Sequence, residues 1–235
     1  MKIYSFTFAR SGSKGLKNKN LREFNKKPLI GWAIKDSIES KFINKTFVST
    51  NCKKIASVAK NEGAIVPFLR PKKLSTSKSP EYLSWRHALK FLIKNNDAPD
   101  IFVSVPCTSP LRTSKDLDNM IKIFIKEKAD LVVGVCDSYR NPYFNLMKLK
   151  YQNLVIFSHP KKKIFRRQDA PRTFDLTTFA FIANPNYILN KTNLYSGKVR
   201  GYFIKESFRS VDIDTLTDLE YAIFLNKKYK IKKKN

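Results

Sequence analysis

Histidine and cysteine are nearly absent: two and three residues in a chain of 235. Cys52, Cys107 and Cys136 stand far apart and form no Cys-x-x-Cys pair, which excludes a cysteine zinc site and a disulfide framework. Two histidines are too few for a histidine-based metal centre, and reduced thiols in a cytoplasmic protein are expected. There is no uncharged apolar run of about 18 residues, so no transmembrane helix is expected. The amino end lacks a cationic segment followed by an apolar one, so no signal peptide is expected. Glycine is scarce, seven residues, and two of them share one short loop.

Acidic residues are also few, 19 against 46 Lys and Arg, giving a formal charge of +27. Such an excess invites a nucleic-acid reading. The lysines, however, occur in almost every segment, with one concentrated run at 227–234, and no nucleic-acid-binding motif is present. A basic surface attracts anionic substrates and, non-specifically, RNA.

What the chain does have is a core: 42% hydrophobic residues, with 18 Phe. Apolar stretches at 2–8, 45–50, 64–67, 100–105 and 131–136 alternate with helical patterns at 28–40, 52–62, 81–95 and 114–128, Ser114 being a plausible helix cap. Alternation of this kind predicts an α/β fold, a Rossmann-like three-layer α/β/α architecture with a mostly parallel sheet. Further strands are expected at 176–183 and 199–204, and a final helix at 216–228. Residues 140–175 break the pattern with Asn-Pro, His-Pro and a lysine run at 161–163; two alternating pieces, 146–150 and 154–157, suggest a hairpin in a protruding β-rich arm. The organisation expected is a single domain over 1–229, the arm at 140–175, and a solvated basic tail at 230–235.

The loop after the first strand, residues 9–20, carries Gly12, Gly15, Ser11, Ser13, Arg10, Lys14 and Lys19. Glycines that let backbone N–H groups turn toward a ligand, with cations beside them, suit a polyphosphate. The spacing is neither Walker A nor GxGxxG. Near the other end, Asp212 and Asp214 are two residues apart in an extended segment, so their carboxylates share a side while Val211 and Ile213 anchor the chain. Oxygen-only ligands suit Mg2+. The alternative is that Asp214 caps the final helix and Asp212 pairs with a lysine.

ARSGSKGLKNKNL followed by KPLIGWAI resembles the nucleotide-binding signature of the acylneuraminate cytidylyltransferases, the CMP-sialic acid synthetases. The match continues in order with FVSTN at 47–51, VPFLRP at 66–71, TSPLR at 108–112, RRQDAP at 166–171 and RSVDIDT at 209–215, nearly the whole chain. The resemblance implies a nucleotide-diphospho-sugar transferase-like fold whose arm builds a homodimer, with Mg2+ as cofactor. It implies transfer of CMP from CTP to the anomeric hydroxyl of a nonulosonic sugar acid, with release of pyrophosphate. Arg10, Lys19, Asp212 and Asp214 are then the catalytic candidates, the two aspartates as metal ligands. Arg10, Ser11, Gly12, Ser13, Lys14, Lys19, Asn20 and Arg70 are candidates for the nucleotide. Thr108, Ser109, Arg166, Arg167, Gln168 and Phe174 are candidates for the sugar acid, since the planar arginine fork suits a carboxylate. Tyr143 is a further candidate for the sugar pocket.

The chain departs from the family at Pro106-Cys107, where Gln-Pro is common, and at 174–178, where Tyr-Arg-x-Asn-Gly is usual. The nucleotide half is thus better matched than the sugar half, and sialic, legionaminic and pseudaminic acids all remain open. The alternatives are a CMP-Kdo synthetase or another sugar nucleotidyltransferase and, from a different class, a basic RNA-binding protein. The last requires clustered cations interleaved with exposed aromatics, whereas the Phe residues here lie mostly in apolar strands.

Overall fold

The computed structural model describes residues 1–159 and 164–232. Its main sheet comprises β1 (Ile3–Phe8), β4 (Lys45–Ser49), β5 (Ile101–Ser104), β6 (Leu131–Asp137), β9 (Phe174–Ala183) and β10 (Val199–Phe203), in the order β10-β6-β9-β5-β1-β4. Neighbours are parallel except β9, which runs antiparallel between β5 and β6. β2 (Glu23–Phe24) and β3 (Lys27–Pro28) form a small hairpin ahead of α1 (Leu29–Ile38). The other helices are α2 (Lys53–Asn61), α3 (Glu81–Lys94), α4 (Ser114–Glu127), α5 (Pro185–Asn190) and α6 (Leu216–Tyr229).

Alternation along the strands sorts side chains onto two faces. Ile3, Ile101, Val103 and Val132 pack with Ile30 and Ile34 of α1, Leu117 and Ile121 of α4, and Leu219 and Ala222 of α6. Tyr4, Phe6, Phe102 and Leu131 face the other way, against Trp85, Leu89 and Leu92 of α3 and Ile188 of α5. That is the expected three-layer architecture. On the second face Phe6 stacks on Phe102 at 4.6 Å and on Phe47 at 5.4 Å between ring centroids. Burying each such ring contributes about 1.5–3 kcal/mol, so this column ties β4, β1 and β5 into one rigid platform.

Four local expectations are corrected. Residues 64–67 are not a strand: the backbone runs beside β4 with isolated bridges at Ile65 and Leu69, and Pro67 has no N–H to extend the ladder. Thr113, not Ser114, caps α4, in a reciprocal box with Asp116. The hairpin β7 (Met147–Lys150) and β8 (Asn153–Ile156) turns at Tyr151-Gln152, with Tyr151 at φ 53°, one residue before Gln152-Asn153, where the sequence suggests the turn. Finally, residues 230–232 do not dissolve into solvent. Lys232 is buried, its backbone N–H donates to Asn226 Oδ1 at 2.7 Å, and its ammonium pairs with Asp36. Residues 161–163 and 233–235 lie outside the described residues.

Asp36 also faces Arg112, Nε to Oδ2 3.7 Å, and both side chains are almost wholly buried. Arg112 donates to the carbonyls of Phe179 and Pro106, so the arginine of TSPLR fastens β9 to the segment leaving β5. Burial pushes the Asp36 carboxyl up, and the Lys232 and Arg112 cations oppose that rise. Among the described residues no helix is long and apolar enough to cross a membrane.

Candidate active site

After β1 the chain moves outward to β4, while β5 lies on the other side of β1. The switch point therefore opens beyond the carboxyl ends of β1 and β5, where open α/β sheets bind ligands. A cleft of about 830 Å³ occupies this place. One wall is the amino-terminal loop, with Arg10, Ser13, Lys14, Gly15, Lys19 and Asn20; Asp214 and Thr215 line the cleft beside it. The two ends of the chain meet directly. Lys19 Nζ lies 2.7 Å from Asp214 Oδ1, and a Cβ placed on Gly15 would come within 2.4 Å of the Asp214 carbonyl oxygen. Gly15 is thus required for close approach, whereas Gly12 supplies a left-handed turn at φ +79°.

Each loop residue has a reason for its position. Asn20 is buried and its Nδ2 donates to the Arg10 carbonyl at 3.0 Å, closing the loop on itself. Asn51 holds Ser11 twice, accepting from its N–H and donating to its Oγ, both at 2.9 Å. Ser11 and Gly12 therefore shape the loop behind the cleft instead of lining it. Ile213 is fully buried and its N–H donates to the Thr108 carbonyl at 2.9 Å, which sets the acidic segment against the strand-end loop. Thr215 caps α6 in a box with Asp218, so Asp214 is not the cap and its carboxylate points to Lys19. Asp212 Oδ1 is buried without a hydrogen-bond partner among the described residues. Asp212 itself does not line the cleft, but its orphaned oxygen, two residues from Asp214, is a hard oxygen donor of the kind Mg2+ takes, and the cation would bring the charge that oxygen lacks. The residues present fit that ion.

Arg70 lines the cleft and is buried, its Nε donating to Ser75 Oγ at 3.1 Å. Burial lowers its pKa to about 10, still leaving a cation at neutral pH. Thr108 lines the cleft too; Ser109 lies fully buried behind it and shares a hydrogen bond of 2.9 Å with Thr178. Cys107 is in the same wall, and burial pushes its thiol up to about 12, so it is an inert apolar surface.

The sugar-acid candidates on the arm are not brought to this cleft within one chain. Arg166 is exposed and forks onto Asp169 at 2.8 and 2.9 Å. Arg167 donates to the Tyr139 carbonyl at 3.0 Å, Phe174 packs edge-on against Phe203, and neither these nor Gln168 or Tyr143 lines the cleft. Conversely, Phe8, Glu81, Trp85, Thr178, Phe181, Asn193 and Tyr195 line it without having been singled out in the sequence. Most are ordinary core letters on strand and helix; the pairing of β9 with β5 brings Thr178 and Phe181 there, the 191–198 connection Asn193 and Tyr195, and the packing of α3 on the sheet Glu81 and Trp85 beside Phe8.

A mostly parallel sheet that delivers a cation-lined turn and an acidic segment to one cleft at its switch point defines a nucleotidyltransferase-type protein. A model of the Cytidylyltransferase family matches residues 7–234, and the chain belongs to that family. It is 30% identical to the CMP-N,N'-diacetyllegionaminic acid synthase of Campylobacter jejuni, covering 92% of each chain. It is 27% identical to Post-translational flagellin modification protein B of Campylobacter coli, over 97% of this chain and 96% of that one. The N-acylneuraminate cytidylyltransferase of Escherichia coli is 30% identical over 97% of this chain but is longer, 52% of it being covered. Among solved structures, a CMP:2-keto-3-deoxy-manno-octonic acid synthetase complexed with CTP superposes with TM-score 0.72 over 97% of this chain and 100% of that one. At 12% identity that likeness concerns the fold alone.

Proposed function

We propose that this chain is a cytidylyltransferase that joins CMP to a nonulosonic sugar acid of the sialic, legionaminic or pseudaminic kind. The observation that carries the reading is the junction of Lys19 with Asp214 at 2.7 Å in a cleft also lined by Arg10, Lys14 and Arg70. One end of the chain supplies cations for a triphosphate and the other supplies carboxylates for the ion that accompanies it. The names of the relatives support the same substrates.

In this mechanism Arg10, Lys14 and Lys19 hold the triphosphate and neutralise charge that grows on the departing pyrophosphate. Asp212 and Asp214 would hold Mg2+, which when bound screens phosphate charge and polarises the phosphoryl oxygens. The anomeric oxygen of the sugar acid forms a bond to the α-phosphorus as the bond from that phosphorus to the β-phosphate bridging oxygen breaks. The products are the CMP-sugar, pyrophosphate and the proton lost by the hydroxyl. Positioning of the two substrates does most of the work, as is general for phosphorus chemistry.

The arm fits a homodimer. Leu149, Tyr151, Leu154 and Phe165 are each at least 65% exposed, and a bare two-stranded hairpin is marginal on its own. Three cysteines without a disulfide are in keeping with a cytoplasmic location. The test is pyrophosphate release measured over a panel of nucleoside triphosphates and sugar acids. Turnover of CTP with a nonulosonic acid is the expected result; turnover confined to UTP or ATP would sink the cytidylyl reading.

A further inference from the structure

The cleft contains a carboxylate at the place least suited to a polyanion. Glu81, the first residue of α3, lines the cleft together with Arg70, Trp85 and Tyr82. Its Oε1 accepts from the indole Nε1 of Trp85 at 3.0 Å. Arg70, the opposite charge on the same wall, is held instead by Ser75 at 3.1 Å. The two groups feel each other's charge, yet each is fixed by its own neighbour. Glu81 is exposed along the cleft; cleft walls that displace water from around its carboxyl and the Asp212 charge push it up, while Trp85 and Arg70 draw it down. The triphosphate has its own cations at Arg10, Lys14 and Lys19, at the Asp214 side. A carboxylate on the Arg70 wall repels phosphate and suits an uncharged, hydrogen-bond-donating part of the ligand.

Arginine only donates and a carboxylate only accepts. A gap bounded by one of each is complementary to an edge with an amino group beside ring acceptors. Cytosine has such an edge, with its exocyclic amine as donor and the ring nitrogen and carbonyl as acceptors; uracil places a carbonyl where the amine would be. Trp85, Phe8 and Phe181 add flat apolar walls of the kind a base packs against. We propose that Glu81 is the base-selecting residue of the cleft, accepting a hydrogen bond from the cytosine amine while Arg70 donates to the ring acceptors, with Trp85 as the positioning residue that aims the carboxylate. This rests on the cytidylyl reading above and names the side chain that enforces it.

Equilibrium binding of CTP and UTP to the full chain, with Mg2+ and without any sugar acid, tests the assignment. The wild type is expected to prefer CTP. Glu81→Gln, which presents a donor as well as an acceptor, is expected to cut that preference by about tenfold to a hundredfold, the scale of one hydrogen bond to a charged group. Trp85→Phe keeps the carboxylate but frees it, and is expected to shrink the preference less. Equal weakening of CTP and UTP in Glu81→Gln, an unchanged ratio, or a wild type indifferent between them overturns the proposal. Selective CTP binding by a protein that turns over no sugar acid would leave this assignment standing and remove the transfer reaction instead.

Discussion

The cleft and the arm handle charge in opposite ways. In the body of the chain the fold answers its own charges: Lys19 finds Asp214 in the cleft and, away from it, Arg112 and Lys232 converge on Asp36 from distant parts of the sequence. On the arm, Arg166 pairs with Asp169 three residues away and Arg172 with Asp137, all four side chains being exposed, and Leu149, Tyr151 and Phe165 stand in water. Long-range pairs mark a region finished by its own fold. Pairs exposed on both sides, beside bare aromatics, mark one that needs something else against it. The nucleotide half of the proposed site therefore belongs to one chain, and the sugar half depends on what covers the arm.

The strongest way to break this contrast is to remove the carboxylates. Asp212→Ala and Asp214→Ala are each expected to lower the rate of pyrophosphate release by about a thousandfold, the scale of losing a preorganised charge in a phosphoryl-transfer site. Thermal melting is expected to move little for Asp214→Ala, since an ion pair with so open a carboxylate adds little to stability. Full activity in both variants would end the metal assignment.

A second test separates the arm from the cleft. Leu149→Asp with Tyr151→Asp is expected to convert a dimer to a monomer by light scattering. Arg166→Ala is expected to raise KM for the sugar acid about tenfold and leave KM for CTP alone, the loss of one charge-assisted contact. A parallel rise in both KM values would show that the halves are not separable.

The smallest effect concerns the last described turn. Lys232→Met leaves Asp36 with Arg112 as its remaining partner and is expected to cost about 1–3 kcal/mol, less than breaking an isolated buried pair. Chemical denaturation measures it, and because Arg112 also holds the Pro106 carbonyl, a modest loss of kcat is expected alongside.

Much of this was legible in the residues. The strand–helix alternation gave the three layers, and the loop at 9–20 with Asp214 gave the charged end of the cleft, because period and turn chemistry are local. Three things were not legible. β9 inserts antiparallel between β5 and β6, a pairing no local pattern encodes, and it brings Thr178 and Phe181 to the cleft. Glu81 reads as an ordinary acidic residue opening a helix until the fold sets it on the cleft wall beside Arg70. Lys232 reads as tail until Asp36, 196 positions earlier, is seen beneath it.

By itself the sequence determined which segments bury their side chains and which residues carry the charge, since hydrophobic period, glycine placement and family motifs are written along the chain. Tertiary structure alone decided which charges face one another. An ion pair such as Lys19 with Asp214 spans 195 positions, and its distance is set by how helices and strands pack, not by any property of the residues between.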